Sequence, residues 1–210
     1  MPQARQDRAV RTRARIILAA AEVFDEQGFA AASLSRIVKC AGVTMGAVYF
    51  HFSSKEELAM AVMAEQATGV SFQEGEDGLQ RLIDITMELA CHLQENVLLR
   101  AGVRLAVEQG AFGVADEAPY LLWIERFTEH LATARERGEL LPQVEPSDFA
   151  RVLVGAYTGT QLLSQISTGR ADLPERITTL WRYLLPGLAT PAAISHLVLS
   201  PHALDESGIS

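Results

Sequence analysis

The chain has 210 residues, 49% of them hydrophobic, so it can bury a substantial core without disulfide or metal cross-links. Its net charge of −8 argues against a general polyanion binder. No signal-peptide pattern is present, and no apolar run reaches the roughly 20 residues of a membrane span. We therefore expect a cytoplasmic protein with no membrane partner.

The charge is unevenly distributed along the chain. Residues 1–60 hold eight basic and six acidic side chains, a net charge of +2 in a chain of −8. Five arginines, Arg11 among them, fall in the first fifteen residues, where they form either a solvated arm or a contact surface for an anion. Cys40 and Cys91 are far apart and lack metal-ligand spacing. We expect both to be buried and reduced, and we expect no metal or other cofactor.

Short amphipathic helices are predicted at the start of the chain. Apolar residues recur with helical spacing from 9 to 27, and Gly28 suits a left-handed C-cap. Ser33 is predicted to cap a second helix that stops at Gly42, and Thr44 to cap a short third helix.

Longer helices follow. Ser54 with Glu57 matches a capping box that opens a fourth helix through about Phe72. Five further helices are predicted at 79–94, 96–109, 119–137, 147–167 and 174–188, with Ser147 as an N-cap. The fold is predicted to be all-α, with a head at 1–55, a body at 56–200 and a disordered tail at 201–210.

The second and third helices have the pattern of a helix-turn-helix, with a glycine in the turn. The second helix of such a pair enters the DNA major groove, where its N-terminal amides favour phosphates. Gly46 has no side-chain bulk and lets the backbone approach closely. Lys55 is a cation in the first turn of the fourth helix, which is unfavourable for the helix dipole unless an anion binds there.

Four aromatic positions follow in "YFHF", residues 49–52. Tyr49 and His51 carry polar tips on apolar rings, so we assign them to contact with sugar and phosphate. Val48, Phe50 and Phe52 are assigned mainly to packing. The alternative for Tyr49 and His51 is that both complete the core of the head.

The span from Arg11 to Leu58, "RTRARIILAAAEVFDEQGFAAASLSRIVKCAGVTMGAVYFHFSSKEEL", resembles the DNA-binding head of the TetR family of bacterial repressors. This resemblance implies operator contacts for Thr44, Tyr49, His51 and Lys55, with Ser33 at a phosphate. Arg11 in the basic arm and Gly46 are further candidate DNA contacts. Met45 stands where many relatives have lysine, and this difference removes a positive charge. Three alternatives are open for Met45: contact with a thymine methyl, contact with a sugar, or no contact with DNA.

The body is predicted to hold a small-molecule site. Trp123 is an aromatic anchor, and Tyr157, Thr160 and Gln161 interrupt an apolar helix. Gln66 is a further candidate, and the alternative for each is ordinary packing. The motifs "LLRAGVRLA", "YLLWIERF" and "GAYTGTQLL" are similar to the γ-butyrolactone receptor branch, which implies a butyrolactone, butenolide or furan signal and control of antibiotic-biosynthesis genes.

The same resemblance implies a homodimer through the helices at 147–167 and 174–188. Their apolar content fits, with Leu180, Trp181, Leu184 and Leu185 in the second helix. Two heads on one palindrome double the number of specific DNA contacts. The ligand then releases the repressor from DNA if it binds better to a conformation in which the spacing of the two heads no longer matches adjacent major grooves.

The sequence offers little support for other functions. No nucleophile motif, phosphate loop or metal cluster is present, so an enzyme is not expected. Two alternatives stay open: a multidrug-type regulator of an efflux pump, and a helix-turn-helix protein that acts through protein partners without binding DNA.

Overall fold

The protein is described by a computed structural model that covers residues 2–66, 70–73 and 75–199, with side chains from residue 6 onward. It contains ten α-helices in this part of the chain: α1 Pro2–Ala31, α2 Leu34–Ala41, α3 Met45–His51, α4 Lys55–Gln66, α5 Leu79–Glu95, α6 Val97–Glu108, α7 Ala118–Glu136, α8 Pro146–Thr168, α9 Leu173–Leu188 and α10 Pro191–Ile194. A single 3₁₀ turn follows α6 at Gln109–Phe112. The only β-type pairing among the described residues is one isolated bridge between Leu140 and Ala189, which confirms the all-α prediction.

The chain forms two compact units, and each unit is made of two segments that are separated in the sequence. The first unit contains residues 1–71 and 95–119, and the second contains residues 72–94 and 120–210. Helix α6 therefore belongs with the helix-turn-helix, although some 30 residues separate it from the end of α4. The predicted boundary at residue 55 placed α4 and α6 in the body.

The first unit is built on α6, which packs against both α1 and α4. The inward faces of α1 and α6 are fully buried at Ile16, Ala20, Phe24, Leu99 and Leu105. These positions follow helical spacing on each element, and their removal from water is the main source of stability.

The second unit has a core made by α5, α7, α8 and α9. Phe127, Leu131 and Trp181 are buried in it. The Trp181 indole nitrogen donates to Thr86 Oγ1 on α5 at 2.7 Å, so the buried polar atom of this large ring is satisfied. The predicted bounds of the five helices from α5 to α9 are confirmed to within about one residue at most ends.

The predicted stop of the first helix at Gly28 coincides with a break in α1, where φ is 72 and ψ is 172, and a short helical segment then continues to Ala31. Two predicted ends of later helices are wrong. Helix α4 ends at Gln66 and not at Phe72, which lies in a non-helical stretch. The N-cap of α8 is Glu145 and not Ser147, because Pro146 occupies the first turn, where its missing N–H costs nothing.

The start of α4 differs from a standard capping box. Ser54 Oγ accepts from the Glu57 amide at 3.1 Å, as predicted. The Glu57 carboxylate, however, accepts from the amide and hydroxyl of Ser53, both at 2.6 Å, and not from Ser54. These two hydrogen bonds lower the pKa of Glu57.

The prediction that both cysteines are buried is wrong. Cys40 is exposed and Cys91 is half-buried. The Cys40 thiol donates to Glu22 at 2.8 Å, and this hydrogen bond raises the pKa of the thiol.

Within residues 2–66, 70–73 and 75–199, no helix combines the length and apolar character of a membrane span. The tail predicted to be disordered, residues 201–210, lies outside the described residues.

Candidate nucleic-acid interface and ligand site

The helix-turn-helix is held by caps at both ends of its turn. Ser33 Oγ accepts from the Arg36 amide at 3.3 Å and caps α2. Gly42 closes α2 in the left-handed region, with φ 60 and ψ 40, a conformation that glycine adopts without strain. Thr44 Oγ1 accepts from the Ala47 amide at 3.2 Å and starts α3. The predicted caps are therefore confirmed, and both hydroxyls have a structural role.

Helix α3 has an exposed aromatic face. Tyr49 is 55% exposed and Met45, one turn earlier, is 37% exposed, whereas Val48 is buried. Gly46 is exposed, and a Cβ added there would meet only Thr44 Oγ1, at 4.0 Å. The free tyrosine ring, the methionine and the glycine share the first turns of the helix, which is the end that a recognition helix presents to base edges.

The assignment of Phe50 to packing is wrong, because its side chain is 77% exposed. Two residues along a helix rotate a side chain by about 200°, so Phe50 points away from Val48, which is buried. Phe52 does pack, at 2% exposure. The centroid of the half-buried His51 ring lies 5.0 Å from that of Phe50 and 6.4 Å from that of Phe52.

Lys55 has partners within the protein. Its Nζ donates to the Phe29 carbonyl at 2.9 Å and to the Ala32 carbonyl at 3.0 Å. It also lies 4.2 Å from the centroid of the Phe29 ring. The position of this cation at the start of α4 thus has an explanation without a phosphate, since the end of α1 supplies its acceptors.

The basic arm is partly used for internal contacts. Arg15 donates to the Ala41 carbonyl at 2.6 Å, and Arg13 pairs with Glu65 at 3.4 Å while its guanidinium lies 5.3 Å from the Phe52 ring centroid. Arg11 is exposed. Of these three arginines, Arg11 has the side chain best placed to meet an external phosphate.

A clamp on the break in α1 was missed by the sequence analysis. Glu108 on α6 accepts from the Phe29 amide at 2.7 Å. Arg104 donates through Nε to Glu108 at 2.8 Å and through Nη1 to the Asp25 carbonyl at 2.7 Å. These α6 side chains satisfy backbone groups that the break at Gly28 removes from the helix ladder. The opposite charges at 104 and 108, one helical turn apart, were the available signal.

Trp123 lies in an aromatic cluster of the second unit. It is 9% exposed, and its ring centroid is 6.1 Å from that of Phe72 and 5.9 Å from that of Phe127. The Arg126 guanidinium lies 4.4 Å from the Phe72 ring centroid. Phe72 and Arg126 were not predicted here, because Phe72 follows α4 in sequence but belongs to the other unit.

Tyr157 is a buried hydrogen-bond donor on α8. Its hydroxyl donates to the Thr86 carbonyl of α5 at 3.2 Å. Burial raises the pKa of Tyr157 well above its ordinary value, so the phenol stays protonated.

Gln161 lies one turn after Tyr157 and is 1% exposed. Its Oε1 accepts from Arg170 through Nε at 3.3 Å and Nη2 at 3.1 Å. Thr160 is only half-buried. Arg170 was not predicted, and its positive φ of 74 cannot be read from its residue type.

Gln66 belongs to the first unit, whereas the other four predicted ligand residues belong to the second. It is 3% exposed, and its Oε1 has no hydrogen-bond partner within the described chain. Gly102 on α6 makes room for it, since a Cβ there would lie 2.5 Å from Gln66 Cβ. No group of three or more potential metal ligands occurs in the described residues.

Comparison with known proteins agrees with this geometry. The profile of the family "Bacterial regulatory proteins, tetR family" matches residues 16–62, and that of "Tetracyclin repressor-like, C-terminal domain" matches residues 76–190. The A-factor receptor protein of Streptomyces griseus is 42% identical over 194 residues, which cover 92% of this chain and 70% of that protein.

Two crystal structures are similar along nearly the whole chain. TylP, a TetR regulator from Streptomyces fradiae, is 45% identical with a TM-score of 0.81 and covers 92% of this chain and 93% of its own. A γ-butyrolactone receptor described as ArpA-like is 32% identical with a TM-score of 0.70, over 89% and 92%. The chain belongs to the TetR family of bacterial regulatory proteins.

Proposed function

We propose that this protein is a dimeric transcriptional repressor that binds palindromic operator DNA and is released by a small carbonyl-bearing signal. The observation that carries the proposal is the exposed face of α3, where Tyr49 and Phe50 are 55% and 77% exposed. Large aromatic side chains are rarely left in water without a partner. On a capped helix that follows a helix-turn-helix bend, the partner is the major groove.

The DNA contacts proposed are those at the start of α3 and around it. Thr44, Met45, Gly46 and Tyr49 approach bases and sugars, and His51 approaches phosphate. Ser33, Arg11 and Lys55 add phosphate contacts, although Lys55 would have to share its Nζ with two carbonyls. The acidic remainder of the chain repels DNA, so binding depends on a few specific contacts and weakens steeply with salt.

The dimer is proposed to form through α8 and α9. An exposed stripe runs along α8 at helical spacing, and its apolar members Val152, Leu163 and Ile166 are 57%, 60% and 81% exposed. Gly155 and Gly159 in the same stripe have nothing within 4 Å of an added Cβ, so a second helix can approach closely. On α9, Trp181 and Leu185 are buried in the protomer's own core and cannot serve an interface.

The ligand is proposed to be a γ-butyrolactone, butenolide or furan that binds near Trp123, Tyr157, Thr160 and Gln161 of the second unit. The relatives described as an A-factor receptor and a γ-butyrolactone receptor support this chemical class. Genes of antibiotic biosynthesis are the proposed targets.

A gel-shift assay on the upstream regions of its own and neighbouring genes tests the proposal. We expect a retarded band at sub-micromolar protein and a steep loss of affinity as salt rises. Tyr49→Phe removes one hydroxyl and should weaken binding by roughly tenfold, the upper end for one hydrogen bond. Met60→Ala is the matched control, because Met60 is exposed on α4, off the α3 face. No retarded band, or equal effects of both variants, would contradict the proposal.

The dimer is tested by light scattering on the purified protein. Wild type should have twice the chain mass, and Leu163→Asp should shift it toward the monomer and weaken operator binding. Leu121→Asp is the control, since Leu121 is 43% exposed on α7, outside the α8 stripe. A dimer unaffected by Leu163→Asp would place the interface elsewhere.

A further inference from the structure

The side chain of Gln161 has one satisfied end and one unsatisfied end. Its Oε1 accepts two hydrogen bonds from Arg170, at 3.3 and 3.1 Å. Its Nε2 is buried without a hydrogen-bond partner in the described chain, and the residue is only 1% exposed. Buried amide groups almost always find a partner, so an orphaned donor at this depth needs an explanation.

The orientation of this amide is fixed by chemistry. A guanidinium carries only N–H donors, so the group facing it must be an acceptor. If the Gln161 amide turned over, its NH₂ would face Nε and Nη2 of Arg170, and both hydrogen bonds would be lost. Gln161 therefore presents a donor, and only a donor, on its other side.

The neighbouring phenol on the same helix cannot play this part. The hydrogen of the Tyr157 hydroxyl is used by the Thr86 carbonyl at 3.2 Å. Its oxygen can still accept a hydrogen bond. Between these two side chains, Gln161 is the one with an uncommitted hydrogen to offer.

We propose that Gln161 recognises a carbonyl oxygen of the ligand through Nε2, and that Arg170 is a positioning residue that holds the amide in the donating orientation. This inference rests on the proposed function and deepens it, because it states which atom of the signal is recognised. A ligand without that acceptor oxygen leaves Nε2 unsatisfied and loses affinity. Arg170 acts through Gln161 without needing to touch the ligand.

The test compares two probes that differ only at the carbonyl. One is α-hexyl-γ-butyrolactone, and the other is the corresponding hexyl-substituted tetrahydrofuran, which lacks the carbonyl oxygen. Their dissociation constants are measured by calorimetry on the full-length protein. Wild type should prefer the lactone by roughly tenfold, as expected for one buried hydrogen bond.

Gln161→Glu is the decisive variant. Glutamate keeps an oxygen toward Arg170 but replaces the donor by a second oxygen. The preference for the lactone should fall to about one or reverse, while affinity for the tetrahydrofuran stays unchanged. An equal loss for both probes would mean that Gln161 is merely structural and would overturn the proposal.

Two variants of Arg170 test the positioning role. Arg170→Lys keeps a cation but loses the fork that holds the amide, so the preference should fall to an intermediate value. Arg170→Gly removes the side chain at a position with φ 74, where glycine is the least strained residue, so this variant is expected to fold. An unchanged preference in Arg170→Gly would remove Arg170 from the proposal.

The outcome separates this inference from the proposed function. Operator retardation by the ligand-free protein is measured on the same preparations. If the Gln161 and Arg170 variants lose the preference for the lactone but the protein does not bind the operator, the result would contradict the repressor function and support the carbonyl contact. Operator binding with no lactone preference in wild type, or with no binding of the lactone at all, would overturn the carbonyl contact alone.

Discussion

Gly28 should be among the residues least tolerant of substitution in the first unit. Its φ of 72 and ψ of 172 lie in a region that only glycine adopts readily, and another residue there costs about 1–3 kcal/mol. An added Cβ would also lie 2.6 Å from Arg104 Nη2 and 2.9 Å from Glu108 Oε1. Both are ends of flexible side chains and could move, but only by giving up the clamp.

The cost of moving the clamp can be worked out from its contacts. The hydrogen bond from the Phe29 amide to the Glu108 carboxylate, at 2.7 Å, is charge-assisted, and its loss costs about 1.5–3 kcal/mol. Together with the backbone strain, Gly28→Ala should lower the free energy of unfolding by about 2.5–6 kcal/mol. That is a large share of the ~5–15 kcal/mol typical of a folded domain.

Urea unfolding followed by circular dichroism provides the measurement. Gly113→Ala is the matched control, because Gly113 also has positive φ, at 71, but nothing lies within 4 Å of an added Cβ. It should cost only about 1 kcal/mol. In a Glu108→Ala background, the cost of Gly28→Ala should shrink by at least about 1 kcal/mol. A Gly28→Ala cost no larger than that of Gly113→Ala would refute the reasoning.

Two further predictions follow. Asp172 accepts from Ser164 and Thr168 at 2.6 and 2.8 Å and from Arg176 at 2.8 Å, and these hydrogen bonds lower its pKa to about 2 from 3.8. A carboxyl group whose pKa is lowered by folding stabilises the folded state at pH values above its unfolded pKa, and this stabilisation is lost as the pH falls. The melting temperature of the wild type should therefore drop between about pH 4 and 2, and Asp172→Asn should make this drop smaller. The same dependence of melting temperature on pH in both proteins would contradict the prediction. Phe50→Ala should leave the melting temperature nearly unchanged because the ring is 77% exposed, yet weaken operator binding in a gel shift; a destabilised variant would mean that Phe50 packs.

The sequence could predict what depends on local patterns. Caps at Ser33 and Thr44 and the turn at Gly42 follow from residue type and spacing, and all three are confirmed. Helical spacing also identified Val48 and Phe52 as buried. The error at Phe50 came from assigning its apolar ring to packing with Val48 and Phe52, although Phe50 lies about 200° around the helix from Val48.

Features that depend on contacts between distant segments could not be predicted. The spacing of Arg104 and Glu108 signals an ion pair within α6, but not the contact with the Phe29 amide, which lies 79 residues earlier. Arg170 has no local signature of its contact with Gln161. The same holds for Lys55, whose partners are the carbonyls of Phe29 in α1 and of Ala32 just after it. Its unusual place in α4 was visible in the sequence, but the carbonyls that explain it were not.

The position of α6 has a consequence for the order in which the chain can fold during synthesis. The helix-turn-helix leaves the ribosome well before Leu99 and Leu105, which complete its core, and Glu108, which holds the break in α1. Until residue 108 or so has emerged, Phe24 and Ile16 lack the surface that covers them in the finished protein. The nascent head thus exposes apolar surface for a time, and a fragment that ends at Gln66 would keep that surface exposed and be prone to aggregation.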